Sequence, residues 1–305
     1  MRIARAFVRL AIAVAGLMAL HGAAKAAESP SYSAYAQGQY LTALKLAEKE
    51  AAEGSKEAFT LMGEIYFEGL GVAQDFGKAA DAYAQAADLG DANAQFQLGT
   101  LVAEGLGVKK DLRIAADLFE RAANSGNPAA QYNLALIYLH GKGRPQDEAK
   151  AIDWLQKAAA KGSAQAQYDL GAFYQFGRGV PMDKAKAAEW TGRAAEAGLP
   201  AAQVEYAVML FKGAGVAADE ARGAKLFRLA AEGGNPVAQN RLARLYANGV
   251  VVKADQVQAA KWHLLARSAG VSDFSLDILL SKLTPEERAA AEDAAAEWRN
   301  GRLTD

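Results

Sequence analysis

The stretch that decides the fold is GNPAAQYNLALIYLHGKG, residues 126–143. Two neighbouring stretches are near copies of it, GDANAQFQLGTLVAEGLG from residue 90 and GSAQAQYDLGAFYQFGRG from residue 162. Their starts are 36 residues apart. A marker glycine keeps this spacing at residues 54, 90, 126, 162, 198, 234 and 270. A fixed period of this length is typical of a repeat protein, in which one small unit is stacked many times.

Each copy predicts two short helices separated by a glycine-rich turn. In the third copy Ala130, Leu134 and Tyr138 follow the marker by four, eight and twelve residues, and this spacing places them on one helix face. A glycine fifteen residues after the marker is the predicted helix stop. We expect an aspartate in the following loop to cap the second helix. It recurs as Asp75, Asp111, Asp147, Asp183, Asp219 and Asp255.

One such helix pair has an apolar face that only a neighbouring pair can cover, so the copies must stack. We predict an all-α fold, a right-handed α/α superhelical solenoid of 36-residue helix–turn–helix repeats whose first helices line a concave surface. The solenoid is expected over residues 35–270, as about six repeats after an N-terminal half repeat that lacks a first helix. Residues 27–34 are predicted to be a linker. Residues 271–305 are predicted to hold a capping helix, where Thr284, Pro285 and Glu287 form a capping-box pattern.

Residues 1–26 are predicted to be a secretory signal peptide. Three arginines precede an apolar run over residues 10–20, and Ala24 and Ala26 are small residues at the positions that a signal peptidase reads. A permanent membrane anchor is the competing interpretation, but the run is shorter than the roughly 20 residues that span a bilayer. We therefore expect a periplasmic or secreted mature chain that meets the membrane only through its signal peptide.

Composition excludes several partners for the mature chain. The 305-residue sequence has 34 basic and 35 acidic residues, and four of the basic ones lie in residues 1–26, which leaves a net charge of −5. No basic patch stands out, so nucleic acid is not an expected partner. The sequence contains no cysteine. An exported chain without disulfides is held by packing alone, which suits a bacterial periplasm.

The sequence predicts no catalytic residues, no metal site and no cofactor. The loop aspartates are a whole repeat apart, and the G-x-G loops do not extend to a phosphate-binding motif. After signal removal only His140 and His263 remain, in distant repeats, which is a poor basis for a zinc site. His263 shares its register with Tyr83 and Phe119, so we expect a packed ring, whereas His140 shares an exposed register.

The pattern A-Q-Y-N-L-A-x-x-Y-x-x-G-x-G, followed by a spaced aspartate and a K-A…W…A-A…G helix, resembles the Sel-one-like repeat family of tetratricopeptide-like solenoids. The resemblance covers about residues 35–270. It implies a scaffold or adaptor role in protein–protein interaction, often in exported bacterial proteins. One cysteine-rich branch of the family has been credited with penicillin binding or β-lactamase activity, but its paired cysteines and an S-x-x-K motif are absent here. Arg144 and Val251 depart from the usual loop residues.

A partner-binding groove is predicted on the first helices, at positions 6, 10, 13 and 14 after the marker, which a helical wheel places away from the core. These positions are apolar and aromatic in the middle copies, as peptide-docking surfaces are. The predicted groove residues are Phe96, Tyr132, Leu136, Leu139, His140, Tyr168, Phe176, Val208 and Phe211. They are flanked by Asp169, Glu205, Lys212 and Arg241. The competing interpretation is that these side chains pack between neighbouring first helices.

The resulting prediction is an exported, non-enzymatic interaction scaffold of the bacterial cell envelope that binds a segment of another protein. Two alternatives stay open. The first is a periplasmic regulator of a sensor kinase. The second is an enzyme, either β-lactamase-like or a cell-wall hydrolase.

Overall fold

The computed structural model describes residues 29–301, so the predicted signal peptide lies outside the described residues. All regular structure within 29–301 is helical, in sixteen helices. Residues 29–111 form a first compact unit, with α1 Pro30–Ala36, α2 Tyr40–Ala52, α3 Lys56–Glu68, α4 Phe76–Asp88 and α5 Ala92–Glu104. Residues 112–301 belong to a second unit, with α6 Leu112–Asn124, α7 Pro128–His140, α8 Glu148–Ala160, α9 Ala164–Phe176, α10 Lys184–Glu196, α11 Pro200–Lys212, α12 Glu220–Glu232, α13 Pro236–Asn248, α14 Gln256–Ser268, α15 Phe274–Lys282 and α16 Pro285–Gly301.

Helix starts and stops follow the repeat. The Asn127 side chain accepts a hydrogen bond from the Ala130 N–H at the start of α7, and α7 ends at Gly141, which has a left-handed φ of +65°. Aspartates cap the second helices by the same bond, as predicted. The structure shows it at Asp75, Asp147, Asp183, Asp219 and Asp255. The predicted all-α solenoid of two-helix repeats is confirmed.

Stacking buries one face of every helix, as the two-helix unit requires. In the second unit Leu134 and Leu170, each eight residues after a marker glycine, are fully buried. Leu155, on the intervening helix α8, is fully buried as well. Burial of each such side chain contributes about 1.5–3 kcal/mol. Gly171 permits close approach, because a Cβ there would overlap the Thr191 hydroxyl of the paired helix. The absence of a side chain at Gly171 therefore sets the spacing of α9 and α10.

A hydrogen bond that the sequence did not predict joins consecutive repeats. The Gln131 side chain is buried, and its amide donates to the Ala123 carbonyl in the last turn of the preceding helix at 3.1 Å. The Ala123 carbonyl also accepts from the Gly126 N–H at 2.9 Å, so the glutamine amide adds a second hydrogen bond to a carbonyl of this helix end. The same bond is made by Gln95, Gln167, Gln203 and Gln239.

Both ends of the array differ from the prediction. Part of the predicted linker forms α1, which packs against α2, so the half repeat does have a first helix. The Glu50 carboxylate holds α1 by accepting hydrogen bonds from the N–H and the hydroxyl of Ser31, at 3.0 and 2.6 Å. Residues 271–301 contain two helices, α15 and α16, where one was expected. The capping box of α16 is confirmed, because Thr284 and Glu287 exchange side-chain-to-backbone bonds of 2.9 and 3.2 Å.

Val251 is the one residue other than glycine with a positive φ among the described residues, at +64°. Five earlier repeats have glycine at this register, including Gly179 and Gly215. A residue with a Cβ costs about 1–2 kcal/mol in the left-handed region, and a β-branched one is a strong outlier there. We therefore expect Val251→Gly to raise the free energy of unfolding by about 1 kcal/mol, after allowance for the added freedom of glycine in the unfolded chain. Urea denaturation followed by circular dichroism measures the change, and an unchanged or lower midpoint contradicts it.

Candidate protein-binding site

The predicted groove residues fall on the first helices of the repeats. Eight lie in the second unit, on α7, α9 and α11, and Phe96 lies on α5 of the first unit. We call the side of α7, α9 and α11 that carries these eight residues the first-helix face. They are Tyr132, Leu136, Leu139 and His140 on α7, Tyr168 and Phe176 on α9, and Val208 and Phe211 on α11.

The two tyrosines of this face connect neighbouring first helices. The Tyr132 hydroxyl on α7 donates to the Asp169 carboxylate on α9 at 3.0 Å. The Tyr168 hydroxyl on α9 donates to Glu205 on α11, also at 3.0 Å. Both rings are half-buried. These bonds give the tyrosines a structural role, and their contact with a partner stays a prediction.

Burial sets the ionisation of these groups. Desolvation of the half-buried phenol, reinforced by the Glu205 carboxylate, raises the pKa of Tyr168 to about 12, so the hydroxyl keeps its proton and remains a donor. Burial also raises the pKa of the Asp169 carboxyl, although the hydrogen bond from Tyr132 acts in the opposite direction.

Five of the eight residues pack partly against the core. Tyr132 and Leu139 pack against the buried cluster that contains Ile152 and Leu155. Tyr168, Val208 and Phe211 pack against the neighbouring cluster, and the Phe211 ring stacks on Phe227 with centroids 5.7 Å apart. Their substitution by charged residues would therefore disturb folding as well as any partner.

The exposed part of the face lies at the C-terminal end of the helices. His140 is exposed at the last position of α7, and Phe176 is 76% exposed at the last position of α9. Met182, in the loop after α9, is 66% exposed, and its Cβ lies beside Gly177, which follows Phe176. Two large apolar side chains exposed next to one loop are a feature of interaction sites. The helical wheel missed Met182 because this residue lies outside the helix.

The charged side chains on the same side of these helices differ in their exposure to solvent. Asp169 and Glu205 are half-buried and accept the tyrosine hydroxyls. Lys212 at the end of α11 and Arg241 on α13 are exposed, and neither has an ion-pair partner within residues 29–301. The charges most accessible to a partner are therefore cationic.

His140 lies on α7, whereas His263 lies on α14. His263 is fully buried on α14, where its Nε2 lies 2.9 Å from Asp277, and the packed ring predicted there is confirmed. Within residues 29–301, no group of three or more His, Cys, Asp or Glu side chains is arranged to hold a metal ion. None of the described helices combines the length and apolarity needed to cross a membrane.

Comparison with known proteins decides the family. The sequence profile described as Sel1 repeat matches six consecutive segments, residues 58–91, 92–127, 128–163, 164–199, 200–235 and 236–271. The chain belongs to the Sel1 repeat family. These segments run in the 36-residue register read from the sequence. Sel1 repeat proteins are generally scaffolds for protein–protein interaction.

Two solved structures resemble this Sel1 repeat chain. One is c5321, described as a protective antigen present in uropathogenic Escherichia coli strains and displaying an SLR fold; it is 31% identical, with a TM-score of 0.74. That match covers 84% of this chain but 56% of the E. coli chain. The other is a Sel1 repeat protein from Oxalobacter formigenes, 32% identical over 78% of this chain and 98% of its own, with a TM-score of 0.72. A search of the curated proteins gives no significant match.

Proposed function

We propose that this Sel1 repeat protein is an exported, non-enzymatic adaptor of the bacterial cell envelope. It binds a segment of another protein on the first-helix face of its second unit. The observation that carries this proposal is the exposure of Phe176 and Met182 at one edge of a face whose other apolar residues are partly packed. Export is supported by the signal-peptide pattern of residues 1–26.

The chemistry of the face describes the partner segment. Phe176 and Met182 offer exposed apolar contact area, and the flexible thioether of Met182 adapts to different apolar side chains. Lys212 and Arg241 are exposed cations on the helices that follow. Opposite charge across an interface fixes register and raises the association rate. We therefore expect a segment with an apolar anchor residue and flanking acidic residues.

The test uses residues on this face that the core does not require. A pull-down from envelope extract with residues 27–305 as bait identifies the partner, which is then purified for titration. Phe176→Asp combined with His140→Asp is expected to weaken partner binding at least tenfold. The double variant replaces an apolar contact by negative charge, which the acidic residues of the partner repel. Circular dichroism should be unchanged, since both side chains are exposed.

Leu229→Asp is the matched control. Leu229 is 45% exposed on α12, a second helix outside the proposed face. This variant should bind the partner as the parent chain does. Equal weakening in both variants, or none in the double variant, would place the site elsewhere. Turnover of nitrocefin or peptidoglycan by the purified chain would overturn the non-enzymatic part of the proposal.

A further inference from the structure

In three repeats a lysine ammonium lies over a tyrosine ring and so covers it. In the third repeat the Lys150 ammonium lies 5.3 Å from the centroid of the Tyr138 ring and 3.5 Å from the carboxylate of the capping Asp147. The cation thus lies near both an aromatic face and a carboxylate, each of which attracts it. The same arrangement joins Lys78 to Tyr66 and Asp75, and Lys186 to Tyr174 and Asp183.

The last repeat keeps the tyrosine and the aspartate but not the lysine. Tyr246 and Asp255 occupy the corresponding positions, and Gln258 replaces the cation. Asp255 accepts a hydrogen bond from the Gln258 backbone N–H at 2.9 Å and has no ion-pair partner within the described residues. An open cavity of about 440 Å³ lies beside this pair. It is lined by Arg228, Tyr246, Val252, Lys253, Ala254 and Asp255.

The lining carries charges of both signs. Arg228 projects from α12 and Lys253 from the loop before α14, both are exposed, and neither has an ion-pair partner in residues 29–301. Around the fourth-repeat tyrosine, Tyr174, the corresponding residues are Gln156 on α8 of the third repeat and Pro181 in the loop before α10, and neither is charged. The surroundings of Tyr246 therefore differ from those of Tyr174 by the loss of one covering lysine and the gain of two lining cations.

We infer that this cavity binds the zwitterionic head of a free amino acid. The ligand ammonium takes the place of the absent lysine, near the Tyr246 ring and the Asp255 carboxylate. The ligand carboxylate pairs with Arg228 and Lys253. A lone amine would meet two repelling cations and a lone carboxylate would meet Asp255, whereas a zwitterion pairs with both signs.

The test compares three ligands that share the isobutyl side chain of leucine. They are L-leucine, 3-methylbutylamine, which lacks the carboxylate, and 4-methylpentanoate, which lacks the ammonium. Each is titrated into residues 27–305 and followed by amide chemical shifts. We expect millimolar affinity for leucine and binding at least about tenfold weaker for either singly charged analogue. Equal affinity for leucine and one of the analogues, or no leucine binding, overturns the inference.

Two variants test the location. Gln258→Lys restores the lysine found in three other repeats, so it should fill the ammonium position and weaken leucine binding by about tenfold or more. Lys186→Gln uncovers Tyr174 in the fourth repeat, where Arg228 and Lys253 have no counterparts, and it should create no second leucine site. Unchanged binding in Gln258→Lys, or a second site in Lys186→Gln, would show that the charges of the last repeat do not define the site.

Discussion

Replacement of Gly215 by alanine is expected to lower the free energy of unfolding by about 3 kcal/mol. Gly215 has a φ of +75°, a conformation that costs a residue with a Cβ about 1–2 kcal/mol. A Cβ at this position would also overlap the carbonyl oxygen of Lys184, at the start of α10. Backbone atoms of a packed helix cannot move aside as a flexible side chain can, so the loop after α11 must shift away from the preceding repeat.

Gly198→Ala separates the two contributions to that loss. Gly198 has a similar φ of +87°, but a Cβ there would have no atom within 4 Å. Only the conformational cost applies, so we expect a loss of about 1 kcal/mol. Urea denaturation of both variants, followed by circular dichroism at one protein concentration, measures the difference. Equal losses at the two glycines would show that the approach of Gly215 to α10 contributes nothing.

Much of this fold could be predicted from the sequence, because the signals that begin and end its helices are local. The marker glycines, the capping aspartates and the glycine stops each act within a few residues of the helix end that they define, so a single copy specifies its own two helices. The 36-residue period then requires the copies to stack. Helix α1 was missed because a helix of seven residues is too short for a clear period, and its order depends on Glu50 of the next helix.

The candidate site was harder to predict from the sequence, because its contacts connect different repeats. A helical wheel shows which side chains leave the core of their own repeat, but it does not show which of them meet the next repeat. Tyr132 and Asp169 are 37 residues apart, and their hydrogen bond depends on how two first helices pack. Phe176 differs from Tyr168 on the same helix in being mostly exposed, and that difference is visible only in the assembled array.

Loss of the Asp273 carboxylate should have the second-largest effect, about 3 kcal/mol, because it leaves the buried Asn240 amide without its acceptor, breaks the ion pair with Arg244 and removes the cap of α15. Asp273 is 5% exposed at the start of α15. Its carboxylate accepts from the Asn240 amide at 2.9 Å and from the Arg244 guanidinium at 2.6 Å, and both of these residues lie on α13. It also caps α15 by accepting the Ser275 and Leu276 N–H groups. Asp273→Ala removes all four bonds, whereas Asp273→Asn keeps an acceptor oxygen and should lose less.

The pH dependence of this loss tests the role of the charge. Burial raises the pKa of the Asp273 carboxyl, but the hydrogen bonds from Arg244, Asn240 and the Leu276 backbone lower it more, and the net pKa is below the usual value. A carboxyl with a lowered folded-state pKa stabilises the fold above its unfolded-state pKa of about 3.9, and this contribution is lost as the pH falls through the folded-state value.

The stability difference between the parent chain and Asp273→Ala should therefore be constant near neutral pH and shrink below about pH 4. Urea denaturation at a series of pH values measures it. Amide hydrogen exchange should show the faster opening in α15 and α16 first, since Asp273 joins the C-terminal helices to the last repeat. A stability difference that stays the same through the acidic range would mean that the Asp273 charge does not hold these helices in place.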